Sequence, residues 1–273
     1  MCNVNQLNNM QKMSPIIYII FKGDFMLFRE TGDRELHTII LLHGGGLSDW
    51  SWDKVVGELK SKYHIITPVI DGHGEDGETE FVSIEDSAKK LIAYIDAKLG
   101  GKVFAVGGLS IGAQIAAEVL SVRNDIAEFA ILESALVYPI KGTTMLTVPT
   151  YKLFYGLIKQ RWFSRMQAKS LCVPENDFER YYNDSLKMSK QTLINITLSN
   201  GNYSLQNSIA NTSAKVLIVV GSKEISIMKK SAELLHSKIR ESRIYIAEGM
   251  KHGELSLMYN KKYVEQIKDL FEK

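Results

Sequence analysis

A short glycine-rich turn lies between an apolar run typical of a buried strand and a stretch with helical periodicity. Residues 107–112 read Gly-Gly-Leu-Ser-Ile-Gly and directly follow the apolar run Val103 to Val106. A serine at such a turn has strained backbone angles, so the residues two positions before and after it must be small. Gly108 and Gly112 meet that requirement. Ser110 is therefore a candidate nucleophile, and a glycine-rich strand end with an incidental serine is the alternative.

The wider chain alternates short β-rich runs with amphipathic helical stretches. The predicted strands are Ile16 to Phe21, Phe25 to Glu30, Thr38 to Leu42, Tyr63 to Pro68, Val103 to Val106, Phe129 to Leu132, Val216 to Val220 and Arg243 to Ala247. The predicted helices between and after them are Trp52 to Ser61, Ile84 to Leu99, Gln114 to Val122, Met228 to Lys238 and Lys262 to Phe271. This rhythm is typical of an α/β fold, a mostly parallel, doubly wound sheet with helices on both faces.

One segment interrupts the rhythm. Residues 137–206 contain helix-like stretches rich in Tyr, Phe, Met and Leu, but no convincing buried strand. We interpret this segment as a helical cap over the active site, with a subdomain that only packs against the core as the alternative. Residues 15–136 and 207–273 are then the α/β core. Residues 1–14, rich in Asn, Gln and Met, are expected to be a flexible tail, and residues 1–12 precede an alternative start at Met13.

Composition narrows the class of protein. The 273 residues are 45% hydrophobic and 23% charged, with a net charge of +2, which indicates a globular protein and gives no electrostatic reason to expect nucleic acid as a partner. The two cysteines, Cys2 and Cys172, do not suggest a disulfide framework, so a reducing compartment is favoured. The first apolar run is too short to span a membrane and lacks signal-peptide features. We expect a cytoplasmic protein with a small-molecule partner.

A serine hydroxyl needs a base within hydrogen-bonding reach and a third group that orients this base. Of the six histidines, His252 is the one that follows the last predicted strand and precedes the final helix. A loop in that position lies at the carboxyl edge of the sheet, as Ser110 does. His252 is therefore the predicted general base.

The orienting acid is expected at another strand end on the same edge. Glu224 lies on the loop directly after the predicted strand Val216 to Val220 and is the first choice. Glu133 directly follows the strand Phe129 to Leu132 and is the alternative. Asp71 is a weaker candidate, because Asp-Gly-His-Gly is typical of a tight turn.

Three consecutive glycines, residues 44–46, follow the strand Thr38 to Leu42 and His43. A loop without side chains lets backbone amides approach a developing oxyanion closely, and we predict that the amides of Gly45 and Ile111 form the oxyanion hole. A phosphate-binding loop is the alternative, but the lysine and Ser/Thr that usually follow such a loop are missing. The sequence has no metal-binding spacing of His, Cys and Glu, so no metal ion or organic cofactor is expected.

Four motifs in this order resemble those of the α/β-hydrolase family. The stretch His-Gly-Gly-Gly at 43–46 resembles the oxyanion loop, and residues 71–74 resemble the Asp-x-x-Gly-His-Gly turn of that family. Residues 108–112 resemble its nucleophile elbow and residues 249–253 its histidine loop. The resemblance runs from about residue 25 to the C-terminus.

The resemblance implies an eight-stranded, mostly parallel sheet with a helical cap inserted after the sixth strand. It also implies the chain order nucleophile, acid, histidine, which Ser110, Glu224 and His252 follow. The sequence departs from many relatives at the acid, where Glu224 stands in place of Asp. A longer side chain needs a different loop geometry to reach the histidine.

The expected function is that of a serine hydrolase that cleaves a carboxylic ester or related acyl compound through an acyl-enzyme. The same fold and triad also serve thioesterases, lipid hydrolases and carbon-carbon bond hydrolases, and a non-catalytic ligand-binding protein is a further alternative. Four aromatic residues near the oxyanion loop or in the cap suggest an apolar acyl substrate, although such residues more often belong to a core: Trp50, Trp52, Phe154 and Trp162.

Overall fold

A computed structural model describes residues 17–19 and 26–272 of the chain. Eight strands in these ranges form one sheet, in the order β1-β2-β4-β3-β5-β6-β7-β8. The strands are β1 Ile17–Ile19, β2 Leu27–Thr31, β3 Thr38–Leu42, β4 His64–Val69, β5 Val103–Leu109, β6 Ala127–Glu133, β7 Lys215–Gly221 and β8 Ser242–Ala247. Strands β3 to β8 are mutually parallel, whereas β2 is antiparallel to both β1 and β4. The predicted eight-stranded, mostly parallel sheet is confirmed.

Helices cover both faces of the sheet. They are α1 Asp53–Leu59, α2 Ile84–Lys98, α3 Ile111–Val122, α4 Thr143–Ile158, α5 Arg161–Ser170, α6 Phe178–Lys187, α7 Lys190–Asn202, α8 Ser226–Lys238, α9 Glu254–Met258 and α10 Asn260–Phe271. Successive strand residues belong to different cores: Ile40 packs in the cluster shared with α2, α3 and α8, whereas Ile39 packs in the cluster shared with α1 and α10. Because both faces are buried, the central strands are continuously apolar, which is the pattern that predicted them.

The segment between β6 and β7 contains four helices, α4 to α7, and the described residues include no strand there. A helical insertion after the sixth strand was expected from the sequence and is confirmed. None of the described helices is both long and apolar enough to cross a lipid bilayer. The expectations for residues 1–14, and for the parts of the first two predicted strands between residues 20 and 25, fall on residues outside the described ranges.

The parallel arrangement places several loops at one edge of the sheet. Strands β3, β5, β6, β7 and β8 run in the same direction, so their carboxyl ends lie together. The register pairs Leu42 with Gly108 and Leu109 with Glu133, which aligns the ends of the three central strands. Loops that are distant in sequence therefore meet above this edge, where α/β folds usually bind ligands.

Candidate active site

Ser110 lies at the sharp turn between β5 and α3. Its backbone angles are φ 57° and ψ −117°, a strained combination for a residue other than glycine. A β-carbon at Gly108 would lie 2.3 Å from the carbonyl carbon of Gly112, and one at Gly112 would lie 2.4 Å from the carbonyl oxygen of Leu42. Both positions therefore exclude any larger residue, as the sequence pattern predicted.

Ser110 and His252 line one cavity of about 340 Å³. The cavity walls are largely apolar, with Leu136, Ile158 and Leu171 among the lining side chains. Within the described residues, the hydroxyl of Ser110 and the ring of His252 are not hydrogen-bonded to each other; the ring bonds to Glu224 instead. Such nucleophile-to-base contacts are often long without substrate and shorten in the complex.

Glu224 and His252 form a direct pair. Glu224 Oε2 lies 2.8 Å from His252 Nδ1, and Glu224 Oε1 accepts a hydrogen bond of 2.7 Å from the amide of Gly221. Burial acts to raise the pKa of Glu224, but hydrogen bonds from His252, Gly221 and Ser134 outweigh it and lower that pKa. An ionised carboxylate at Nδ1 holds the proton of the ring there, so Nε2 is free to accept one.

Glu133, the alternative acid, has different surroundings. Its side chain does not contact His252 through a hydrogen bond; Oε1 accepts from the amide of Ser256 at 3.3 Å, and Oε2 has no partner among the described residues. Glu133 is only 1% exposed, and burial raises its pKa to about 7. Of the two glutamates that follow neighbouring strands, Glu224 is the one that reaches the imidazole.

Ser134 joins the site without having been predicted. It is buried directly after β6 with φ 54°, and its hydroxyl donates a 2.8 Å hydrogen bond to Glu224 Oε1. The hydroxyl oxygen of Ser134 itself accepts a 3.4 Å hydrogen bond from the amide of Gly253, next to His252. In the sequence, the feature that could have indicated Ser134 is its position at a strand end, on the same edge of the sheet as Ser110.

Two backbone amides at the cavity lack an acceptor among the described residues, one on the glycine loop after β3 and one at the start of α3. Gly45 and Ile111 both line the cavity, and the backbone N–H groups of both donate to no acceptor in the described part of the chain. His43 shapes this loop: its Nε2 accepts from the amide of Ile70 at 3.0 Å, so its Nδ1–H donates to the carbonyl of Gly44 at 2.9 Å. Burial holds the pKa of His43 well below its usual value, so this ring is neutral.

The helical insertion forms the other wall of the cavity. Each of its four helices contributes a lining residue, namely Ile158 of α4, Gln167 of α5, Tyr181 of α6 and Leu193 of α7. Among the described residues, no group of three or more His, Cys, Asp or Glu side chains is arranged to hold a metal ion.

The four aromatic residues expected in the substrate pocket do not line this cavity. Trp50 and Trp52 are buried in the core beside α1, where Trp50 Nε1 donates to Asp184 at 2.7 Å. Phe154 and Trp162 are 48% and 64% exposed on the outer side of the insertion. The assignment is corrected: an aromatic residue in a helical pattern can serve a core, a surface or a pocket, and only packing distinguishes these.

Solved structures share the whole architecture. An esterase from Thermogutta terrifontis superposes with a TM-score of 0.73 at 16% identity, covering 95% of this chain and 98% of that one. A bromoperoxidase from Bacillus anthracis gives 0.75 at 20% identity, with coverages of 91% and 95%. The esterase EaEST from Exiguobacterium antarcticum gives 0.74 at 17% identity, with coverages of 91% and 96%. At these identities the likeness concerns the fold.

Sequence comparison identifies the family. A curated protein of Gibberella zeae, described as an AB hydrolase superfamily protein, is 31% identical over 130 residues, which are 47% of this chain and 45% of that protein. The match thus spans slightly less than half the length of the curated relative. The model of the alpha/beta hydrolase family matches residues 39–206, more than half of the chain. Together with the sheet order and the strained serine turn, this match shows that the chain belongs to the alpha/beta hydrolase family.

Proposed function

We propose that the protein is a serine hydrolase that cleaves a small, uncharged carboxylic ester through an acyl-enzyme. The observation that carries this proposal is the meeting of three features at one cavity: the strained turn at Ser110, the His252–Glu224 pair with its 2.8 Å contact, and the two free amides. A protein that only binds a ligand in this cavity would need none of these three features.

In the first half-reaction, Ser110 Oγ attacks the ester carbonyl carbon while His252 Nε2 accepts its proton. Glu224 stabilises the imidazolium that forms. The carbonyl oxygen becomes an oxyanion, which the amides of Gly45 and Ile111 and the N-terminus of α3 stabilise. When the tetrahedral intermediate collapses, His252 returns the proton to the departing alcohol, and the acyl group stays on Ser110.

In the second half-reaction, a water molecule attacks the acyl carbon in the same geometry. His252 accepts a proton from this water, and the same two amides stabilise the second oxyanion. Collapse releases the carboxylic acid and returns the proton to Ser110. Because the acid product is charged and the cavity is largely apolar, product release is favoured over rebinding.

The cavity supports a small substrate. Its volume of about 340 Å³ lies near the lower end of the range of about 300–1,000 Å³ that is usual for ligand sites. This size favours a short acyl ester over a lipid. We also propose that residues 137–206 act as a cap, since all four helices of that segment line the cavity above Ser110.

A fluorophosphonate probe tests the assignment of the nucleophile. We expect one equivalent of probe to label the wild-type protein, and no labelling of Ser110→Ala, because the probe phosphonylates an activated serine. Intact-protein mass spectrometry measures the stoichiometry. A loss of p-nitrophenyl butyrate hydrolysis by about a thousandfold or more in the same variant is the expected kinetic result.

Ser121→Ala is the matched control, since Ser121 lies on α3 and its hydroxyl donates only to the carbonyl of Ala117. Labelling of this variant should equal that of the wild type. Stoichiometric labelling that persists in Ser110→Ala would exclude Ser110 as the nucleophile.

A further inference from the structure

Three polar side chains of the helical insertion line the cavity without a hydrogen-bond partner among the described residues: Gln167, Tyr181 and the partly exposed Asn200. The side-chain Oε1 of Gln167, on α5, is buried and has no partner among the described residues. The hydroxyl of Tyr181, on α6, likewise has no hydrogen bond there; the residue is 4% exposed, and burial raises its pKa to about 12. A buried polar atom is normally paired, so the unpaired Oε1 of Gln167 beside a cavity needs an explanation.

Neighbouring polar groups of the same wall do have partners. The hydroxyl of Tyr151 lies 2.9 Å from Thr197 Oγ1, and that of Ser185 donates to the carbonyl of Tyr182 at 2.7 Å. The insertion can therefore satisfy polar side chains internally at this wall. Gln167 and Tyr181 differ from these groups, because neither the Gln167 Oε1 nor the Tyr181 hydroxyl has a hydrogen-bond partner among the described residues.

The charge of the cavity limits what that molecule can be. Among the described residues that line it, none carries a carboxylate, an ammonium or a guanidinium group. A charged substituent would lose its hydration without gaining a counter-charge, which is strongly unfavourable. A hydroxyl group is uncharged and can both donate and accept. It therefore suits a carboxamide in either orientation and a phenol.

We propose that Gln167 and Tyr181 form a subsite for a hydroxyl group of the substrate. The substrate class is then a small, neutral ester that carries a hydroxyl group apart from the ester linkage. Ser110 and His252 lie on the wall formed by the α/β core, and the subsite lies on the wall formed by the insertion. This subsite rests on the proposed ester hydrolysis and adds the substituent by which the enzyme would select its substrate.

Two pairs of esters, matched in carbon skeleton within each pair, test the subsite. One pair is p-nitrophenyl 3-hydroxybutyrate and p-nitrophenyl butyrate, which places the hydroxyl on the acyl side. The other is 3-hydroxypropyl butyrate and propyl butyrate, which places it on the alcohol side. For at least one pair we expect the wild-type kcat/KM to be about tenfold or more higher for the hydroxylated ester, because the unsubstituted ester leaves both polar groups unpaired.

The double variant Gln167→Leu/Tyr181→Phe removes both polar groups while nearly preserving their volume. In this variant, the kcat/KM of the hydroxylated ester divided by that of its unsubstituted partner should fall to about one. Gln160→Leu is the matched control, since Gln160 is exposed at the start of the same helix and does not line the cavity. The wild-type ratio should persist in that control.

Binding to Ser110→Ala separates the subsite from the chemistry. Isothermal titration of this variant with the same ester pairs should show tighter binding of the hydroxylated member, and the double variant on that background should not. If the wild type hydrolyses both members equally, or the double variant retains the preference, the subsite assignment is wrong although the ester hydrolysis stands. If Ser110→Ala binds the hydroxylated ester selectively while the wild type hydrolyses neither ester, the subsite stands and the proposed function is wrong.

Discussion

At Ser134 the backbone takes a left-handed conformation that residues other than glycine rarely adopt. Such a conformation costs about 1–3 kcal/mol. The surroundings hold it: the amide of Ser134 donates to the carbonyl of Val219 at 2.8 Å, while the hydroxyl donates to Glu224 Oε1. With Oε1 occupied by Ser134 and the amide of Gly221, the remaining oxygen of Glu224 is directed at His252. This arrangement brings the carboxylate of Glu224 to the imidazole of His252.

Two substitutions at Ser134 separate its strain from its hydrogen bond. Ser134→Ala and Ser134→Gly both remove the hydroxyl, so we expect kcat for p-nitrophenyl butyrate to fall about tenfold or more in each, with little change in KM. Glycine tolerates the left-handed conformation, so thermal denaturation should give a higher Tm for Ser134→Gly than for Ser134→Ala. Wild-type kcat in Ser134→Gly would show that the hydroxyl does not position Glu224.

At the scale of elements, the turn between β5 and α3 depends on the close approach of α3 to β3. A β-carbon at Gly112 would lie 2.4 Å from the carbonyl oxygen of Leu42 and 2.5 Å from that of His43. Both obstacles are backbone atoms, which cannot rotate away. With an alanine at position 112, α3 would have to shift away from β3, the strand that precedes the glycine loop.

Gly112→Ala should therefore destabilise the protein and displace Ser110. We expect a loss of about 1–3 kcal/mol in the free energy of unfolding in urea, together with slower fluorophosphonate labelling. Gly57→Ala is the control, since Gly57 lies within α1 and a β-carbon there would meet nothing within 4 Å. That change should raise stability by about 0.5–1 kcal/mol. Equal free energies of unfolding for Gly112→Ala and Gly57→Ala would contradict the close approach of α3 to β3.

At the scale of the whole molecule, one buried carboxyl links the stability of the fold to pH. Glu133 ends β6 in the middle of the sheet, and burial raises its pKa from an ordinary value near 4.5 to about 7. A carboxyl whose pKa is higher in the folded state than in the unfolded state stabilises the fold while it is protonated. This stabilisation is lost as the group ionises. Its contribution to stability is therefore lost as the pH rises from about 4.5 through about 7.

Glu133→Gln should remove that dependence. At pH 5 Glu133 is protonated in the folded protein, so its ionisation should contribute little to the difference in free energy of unfolding between the variant and the wild type. By pH 8 the variant should be more stable, by up to about 3 kcal/mol. Urea denaturation across this pH range measures the difference. Glu128→Gln, at an exposed position of the same strand, is the control for a glutamine in β6. A difference that stays constant from pH 5 to pH 8 would show that Glu133 does not ionise over that range.

Three features could be predicted from the amino-acid sequence: the order of strands and helices, the strained turn at Ser110, and the loops that meet at one edge of the sheet. These features follow from local rules, since apolar periodicity distinguishes strands from helices and steric exclusion demands the two glycines around the serine. The parallel arrangement then directs the strand ends to one side, so His252 could be assigned to the same edge as Ser110 before any contact was known.

Which side chains contact each other could not be predicted, because these contacts depend on the tertiary packing. Glu133 and Glu224 both follow strands at that edge, yet only Glu224 bonds to His252, because Ser134 and the Gly221 amide direct its carboxylate while Glu133 lies enclosed against Ser256. Packing also decided the cavity walls: Trp50 and Trp52 lie in the core, Phe154 and Trp162 lie at the surface, and Gln167 and Tyr181 line the cavity. The direction of a side chain depends on packing among segments distant in sequence, which a local pattern does not encode.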